Sequence, residues 1–426
     1  MTVTIQPGPV QGTVPSIPSK SAAHRLLLCA ALADRPTRVI CPQSSQDIDA
    51  TLRCLKGLGA SITPREDGYD VVPLDRNEPV PPCVLDCGES GSTLRFLLPV
   101  AGALGVEAVF ALAGRLAQRP IEPLMDQLRA NGCDVVLDRQ AKTLSIRGRL
   151  TPGEYVLPGN VSSQFISGLL FALPLLPGES RLRIDGPLES AGYLRLTLRC
   201  LADFGVVPEE TEDGWDLSPR RCRSPGLVQV EGDWSNAAPW LCLGALGGES
   251  VTVTGMDVTS LQGDKEICQV LGKMGARIGH TAGRVTAFRG ELHPLTVDAR
   301  DIPDLVPVVA AVAAAVPGTT RITGAARLRL KESDRLATTA RALNALGGQV
   351  EETEDGLLIH GKDHLDGGRV DAAGDHRIAM AAAVASGVCT GPVVIAGGQA
   401  VEKSYPTFWR SLRLLGKGIE EDPFGP

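Results

Sequence analysis

Leucine- and alanine-rich runs that close on Leu-x-x-hydrophobic-Gly, or a near variant, recur along the whole chain. They end at Gly59, Gly132, Gly205, Gly275, Gly347 and Gly416, so successive glycines lie 69 to 73 residues apart. An apolar helical pattern that stops at glycine predicts a helix whose C′ residue adopts a positive φ. A short β-like run follows in most copies, as in Ala60-Ser61-Ile62 and Gly348-Gln349-Val350. A second pattern keeps the same period. Polar clusters open further Ala/Leu-rich helices at Ser19-Lys20-Ser21, Glu89-Ser90-Gly91-Ser92, Ser162-Ser163-Gln164, Asp233-Trp234-Ser235, Asp301 to Asp304 and Asp375-His376-Arg377. Val/Ile-rich strands are predicted after these helices, at Arg38-Val39-Ile40, Val106 to Phe110, Leu182 to Ile184, Val251 to Val253, Arg321-Ile322 and Val393 to Ile395. The chain therefore reads as six units of about 70 residues, each with two helices and several strands.

Six units over 426 residues imply three per domain, with domains of an ordinary size. Gly- and Pro-bearing stretches at Gly12 to Pro18 and Pro225 to Gly232 predict that the chain passes twice between the two. One domain is expected to span residues 14–227 and the other 1–13 with 228–426, with the active site in the cleft between them.

Composition narrows the function. A hydrophobic share of 43%, a charged share of 21%, a net charge of −7 and only 4% aromatic residues argue against nucleic acid or an anionic membrane as partner. The start, Met1 to Val10, lacks the basic and apolar regions of an export signal, and the longest apolar run, Val306 to Val316, is too short to span a bilayer. Eleven cysteines without a C-x-x-C pair read as reduced thiols of a cytoplasmic protein. Six histidines with no ligand pair predict no zinc site.

The charged stretch Arg327 to Leu336 breaks an apolar neighbourhood and opens a predicted helix, with Ser333 or Asp334 as N-cap. Lys331 and Arg335 oppose the macrodipole there and, if both were helical, would share a face and repel. One reading is a solvated helix start. The other is an anion site at a helix N-terminus with acid–base carboxylates, Glu332 and Asp334, beside it. Cations recur at the other openings: Lys20 and Arg25, Arg95 and Arg119, Arg377, and Lys403 near the end. That recurrence favours small, multiply anionic substrates. Pro18-Ser19-Lys20-Ser21 lacks the glycines of a P-loop, and Gly88 to Ser92 lacks dinucleotide spacing.

Together, Pro18-Ser19-Lys20-Ser21 with Arg25, Gly91-Ser92-Thr93-Leu94-Arg95, Gln118-Arg119-Pro120-Ile121, Val161-Ser162-Ser163-Gln164-Phe165, Ile302-Pro303-Asp304, Lys331-Glu332-Ser333-Asp334-Arg335, Gly374-Asp375-His376-Arg377 and Lys403 resemble the enolpyruvyl transferases. Within them the set is most similar to the EPSP synthase family. The resemblance implies two inside-out α/β domains, each of three βαβαββ repeats. It implies transfer of the enolpyruvyl group of phosphoenolpyruvate to the 5-hydroxyl of shikimate 3-phosphate, with no metal or organic cofactor. It also implies a monomer inhibited by glyphosate.

By the same resemblance, Lys20, Ser21, Arg25, Ser162, Ser163, Gln164, Ser190, Tyr193, Asp304 and Lys331 would surround the phosphorylated shikimate. Lys20, Gly91, Arg119, Gln164, Glu332, Arg335, Arg377 and Lys403 would surround phosphoenolpyruvate. Asp304, Glu332 and Lys20 are the catalytic candidates. Asp304 is expected to act as base toward the hydroxyl, Glu332 as acid/base at the methylene, and Lys20 to stabilise developing charge. Three positions depart from common family residues: Glu89 stands for Asn, Phe96 for Pro, and Arg327 for Asn. The UDP-N-acetylglucosamine enolpyruvyl transferases are the nearest alternative. They carry Lys-Asn at the first helix and a Cys before the Arg-Pro motif, where this chain has Lys20-Ser21 and no Cys between Gly114 and Gln118. A non-catalytic repeat scaffold would explain the six units but not the charged set.

Overall fold

The computed structural model describes residues 1–76 and 78–425. Its contacts divide into two compact units, Lys20–Val230 and Met1–Ser19 with Glu231–Pro426. The limits expected from sequence differ by a few residues and would cut into Gly12–Pro15 and Leu227–Gln229, both of which are strands. Each strand belongs with a partner far along the chain, which a local pattern does not reveal.

The Lys20–Val230 unit holds helices α1 (Lys20–Ala31), α2 (Gln46–Gly57), α3 (Gly91–Leu104), α4 (Glu122–Ala130), α5 (Ser163–Ala172) and α6 (Ala191–Asp203). Three four-stranded sheets accompany them among the described residues. In the last, Glu154–Pro158 pairs parallel with Ser180–Asp185, which pairs antiparallel with Gly214–Leu217, and Glu209–Thr211 closes the edge. In chain order with α5 and α6 this is βαβαββ. The first sheet has the same form, but its leading strand is Leu227–Gln229, parallel to Thr37–Ile40.

The other unit holds α7 (Trp234–Leu246), α8 (Ile267–Lys273), α9 (Val306–Ala313), α10 (Arg335–Ala345), α11 (His376–Ala385) and α12 (Phe408–Leu414). It repeats the scheme. Gly12–Pro15 leads its first sheet, parallel to Val251–Thr254, and Thr2–Ile5 joins Val393–Ala396 to Ile419–Asp422 in its last.

Burial explains the arrangement. The first helix of each repeat is buried along nearly all of its length, and α7, α9 and α11 along the whole of it. Such helices belong in a core. The strands alternate, as in Cys133–Asp138, with one face inward and one to solvent. Helices thus fill the middle of each unit and sheets cover it, each unit closing its own hydrophobic core. The six repeat glycines all have positive φ, between 74° at Gly205 and 106° at Gly275, each one residue beyond a helix cap. A Cβ there would strain the turn. Close approach fixes another: a Cβ on Gly168 of α5 would lie 2.2 Å from the Arg95 carbonyl oxygen of α3. No helix among the described residues is long and apolar enough to cross a membrane.

Candidate active site

In the Lys20–Val230 unit the expected residues sit at or beside helix openings. Ser90 caps α3 by accepting from the Thr93 amide, which makes Gly91 the first helical residue. Removing such a cap costs about 1 kcal/mol. Gly91 faces two guanidinium groups, since a Cβ there would lie 3.0 Å from Arg119 Nη1 and 3.2 Å from Arg95 Nη1. Arg95 Nη1 donates to Gln164 Oε1 at 2.7 Å, and Gln164 Nε2 donates to Ser92 Oγ at 2.9 Å. Ser162 caps α5 through the Gln164 amide, and Ser163 follows, buried. Gly91, Arg95, Arg119, Ser162, Ser163 and Gln164 therefore form one neighbourhood of oxyanion donors at two adjacent helix starts.

Lys20, the first residue of α1, pairs with Asp47 at 2.7 Å. Arg25, one turn on, is buried and orients inward: Nη1 donates to the Ser21 carbonyl at 2.7 Å, Nε to Thr197 Oγ1 at 2.8 Å and Nη2 to the Tyr193 carbonyl at 3.1 Å. Burial pulls its guanidinium down to about 10. Phe96 lies 5.0 Å from Arg25 Cζ, so the aromatic departure at this position supplies a cation–π neighbour. Ser190 precedes α6 in the left-handed region, at φ 57°, and accepts from the Tyr193 amide through its carbonyl. Glu89 leans on the next turn: a Cβ on Gly114 would meet its Cδ at 2.4 Å.

In the other unit the charges are interleaved. Arg335 opens α10, with Asp334 as its N-cap. Its guanidinium, 2% exposed, contacts three carboxylates: Asp304 at 2.5 Å, Glu332 at 2.6 Å and Asp375 at 2.8 Å. Lys331 Nζ lies 3.5 Å from the same Asp304 oxygen. The expectation of a repulsive Lys331–Arg335 pair on one helical face is corrected here. Lys331 is extended, at φ −88° and ψ −158°, and ends a short 3-10 turn at Ala326–Leu330, so it reaches Asp304 from outside α10. Carboxylates between the cations also remove the penalty of placing Arg335 at a positive helix end.

Burial works to raise the Asp304 carboxyl, but the charges of Lys331, Arg335 and Arg377 outweigh it and hold the group well below the usual carboxylate range. Burial pushes Lys331 down to about 8, helped by Arg335 and Arg327 and opposed by Asp304 and Glu332. Arg377, at the start of α11, donates from Nη1 to the Ser235 carbonyl at 2.9 Å. Lys403 Nζ donates to the Gly374 carbonyl at 2.8 Å. Asp304, Lys331, Glu332, Arg335, Arg377 and Lys403 thus gather around the openings of α10 and α11. Among the described residues no group of three His, Cys, Asp or Glu side chains could hold a metal ion.

Two residues were missed. Asp375 caps α11 and binds Arg335, and Asp47 pairs with Lys20. Asp375 carried a signal, as a carboxylate at a helix opening two residues before Arg377. Asp47 had none beyond an acidic helix start.

A family model described as EPSP synthase (3-phosphoshikimate 1-carboxyvinyltransferase) matches residues 5–412. A 3-phosphoshikimate 1-carboxyvinyltransferase of Clostridium kluyveri is 42% identical over 422 residues, covering 98% of each chain. One from Clostridium acetobutylicum is 40% identical over 430 residues and 99% of each. Among solved structures, an EPSP synthase from Acinetobacter baumannii superposes with a TM-score of 0.80 at 26% identity, covering 99% of this chain and 100% of that one. The chain belongs to the EPSP synthase family.

Proposed function

We propose that the chain transfers the enolpyruvyl group of phosphoenolpyruvate to the 5-hydroxyl of shikimate 3-phosphate, releasing phosphate, and so serves the shikimate pathway to aromatic amino acids. The observation that carries this reading is the placement of Asp304 and Glu332 on the Arg335 guanidinium, at 2.5 and 2.6 Å, with Lys331 beside Asp304. The reaction needs cations for two oxyanionic substrates and carboxylates that move protons among them.

Each group has a task. Ser21, Arg25, Ser162, Ser163, Ser190, Tyr193 and Lys331 hold the phosphorylated shikimate. Arg119, Arg335, Arg377 and Lys403 hold the phosphate and carboxylate of phosphoenolpyruvate, with Gly91 and Gln164 alongside. Arginine forks suit both oxyanions because they donate in pairs.

The first step forms a bond from the 5-oxygen to the middle carbon of the enol, while Asp304 takes the hydroxyl proton and Glu332 gives a proton to the methylene. The second breaks the bond from that carbon to the phosphate oxygen. The new methyl returns a proton to Glu332, and the double bond re-forms. Lys20 offsets charge on the departing phosphate. In the resting chain Asp304 is a weak base because cations surround it. Substrate anions that neutralise Lys331 and Arg335 raise its basicity. A substrate oxyanion that replaces Glu332 on Arg335 also frees that carboxylate for proton transfer. Glyphosate, an anion expected to compete with phosphoenolpyruvate, draws on the same donors.

Phosphate release from phosphoenolpyruvate, measured with each acceptor in turn, tests this. Shikimate 3-phosphate should support release, in the presence of excess chelator. Release with UDP-N-acetylglucosamine instead would overturn the assignment.

A further inference from the structure

At the other end of α3 and α5, the Lys20–Val230 unit has a hollow of about 390 Å³ lined by Arg76, Arg149, Arg220 and Arg221 with proline and leucine side chains. Its place is defined by two contacts. The Arg149 stem lies over Gly105, which ends α3, and Arg76 Nη2 donates at 3.1 Å to the carbonyl of Leu175 in the turn after α5. The 14 residues of α3 put about 20 Å between this end and Gly91.

Four arginines, all of them exposed, line this hollow in a chain of net charge −7, and the lining contains no carboxylate. None of the four is in an ion pair among the described residues. One cation at a helix C-terminus is favourable. Three crowd here: burial, then the charges of Arg221 and Arg149, lower the Arg76 guanidinium, while Arg221 also acts on Asp34 outside the lining. The frame is nevertheless fixed, since the Arg220 amide donates to the Pro174 carbonyl at 2.9 Å and prolines 174, 177 and 219 stiffen the wall. An adjoining hollow of about 560 Å³ shares Arg76 and Arg149 but carries Asp75, Glu78 and Glu107, which confines an anion to the arginine side.

We propose that this arginine hollow is a second binding site, outside the catalytic set, for a small oxyanion carrying two or more charges. Bound there, the anion relieves the repulsion among the guanidinium groups and takes paired hydrogen bonds from them. It joins the end of α3, the turn after α5 and the segment Pro219–Arg221, and thereby stabilises this unit.

Titration calorimetry on the full chain, saturated with shikimate 3-phosphate at constant ionic strength, tests the site with pyrophosphate and citrate as phosphate- and carboxylate-based probes. Binding of either is expected, weakened at least tenfold in Arg149→Gln/Arg221→Gln and unchanged in Arg119→Ala, with catalytic kcat/KM unaltered in the double variant. On the wild-type protein, the bound probe should shield Arg220 and Arg221 from phenylglyoxal in peptide mapping. No binding by either probe, loss in Arg119→Ala rather than in the double variant, or unchanged labelling under a bound probe would overturn the proposal.

Discussion

The Nε of Arg335 and the Oδ2 of Asp375 meet at 2.8 Å, with side chains 2% and 0% exposed. The same carboxylate accepts from Ser333 Oγ at 2.9 Å and from the Arg377 amide at 3.0 Å. One buried aspartate thus fixes the Arg335 guanidinium and the helix start that carries Arg377, two of the three arginines assigned to phosphoenolpyruvate. Asp375→Asn keeps a capping oxygen but removes the charge facing Arg335. It should raise the KM for phosphoenolpyruvate at least tenfold and lower stability by about 1–3 kcal/mol in urea unfolding. An unchanged KM would detach Asp375 from substrate binding.

Asp304→Ala and Glu332→Ala should lower kcat by about 10² to 10⁴, far more than they change either KM. Steady-state kinetics with both substrates varied reads this. Near-normal turnover in both would remove the carboxylates from the chemistry.

Lys331 gives the reaction a pH limit. Its pKa of about 8 means that the free enzyme loses this cation above pH 8, so kcat/KM for shikimate 3-phosphate should fall about tenfold per pH unit there. Lys331→Arg, which stays charged, should abolish the fall. Stability moves oppositely. With the folded value near 8 and the ordinary value at 10.5, the unfolded chain binds more protons in that window, so this residue's contribution to stability rises with pH from 8 to 10.5. A flat kcat/KM profile to pH 10 would contradict the placement of Lys331 on the phosphate.

Gly91→Ala should raise the KM for phosphoenolpyruvate and weaken glyphosate inhibition together. The added methyl would stand 3.0 Å from Arg119 Nη1 and 3.2 Å from Arg95 Nη1, so one guanidinium must move. Inhibition constants for both proteins check this. Unchanged inhibition would separate Gly91 from the donor pocket.

The repeat was legible in the sequence because its marks are local. A helix that stops at Gly59 or Gly347 needs a positive φ at that residue, and a helix that opens at Ser90 or Asp233 needs a side-chain cap. The pairing of Leu227–Gln229 with Arg38–Ile40, and of Gly12–Pro15 with Val251–Thr254, was not, since no local pattern encodes partners so far apart. The candidate site divides the same way. Lys20, Arg119, Arg335 and Arg377 stood out as cations at helix openings. The Arg335–Asp375 contact spans 40 residues of sequence and depends on two helices starting side by side.

The central claim is that a proton is added to the methylene carbon, the acceptor oxygen to its neighbour, and phosphate then eliminated. Proton and phosphorus NMR of phosphoenolpyruvate, shikimate 3-phosphate and the enzyme in D2O tests it most directly. The account predicts inorganic phosphate in step with a vinyl ether on the 5-oxygen, and deuterium in the vinyl group of that product because solvent protons pass through Glu332. Phosphate appearing without the vinyl ether, or a product whose vinyl group stays free of deuterium, would contradict it.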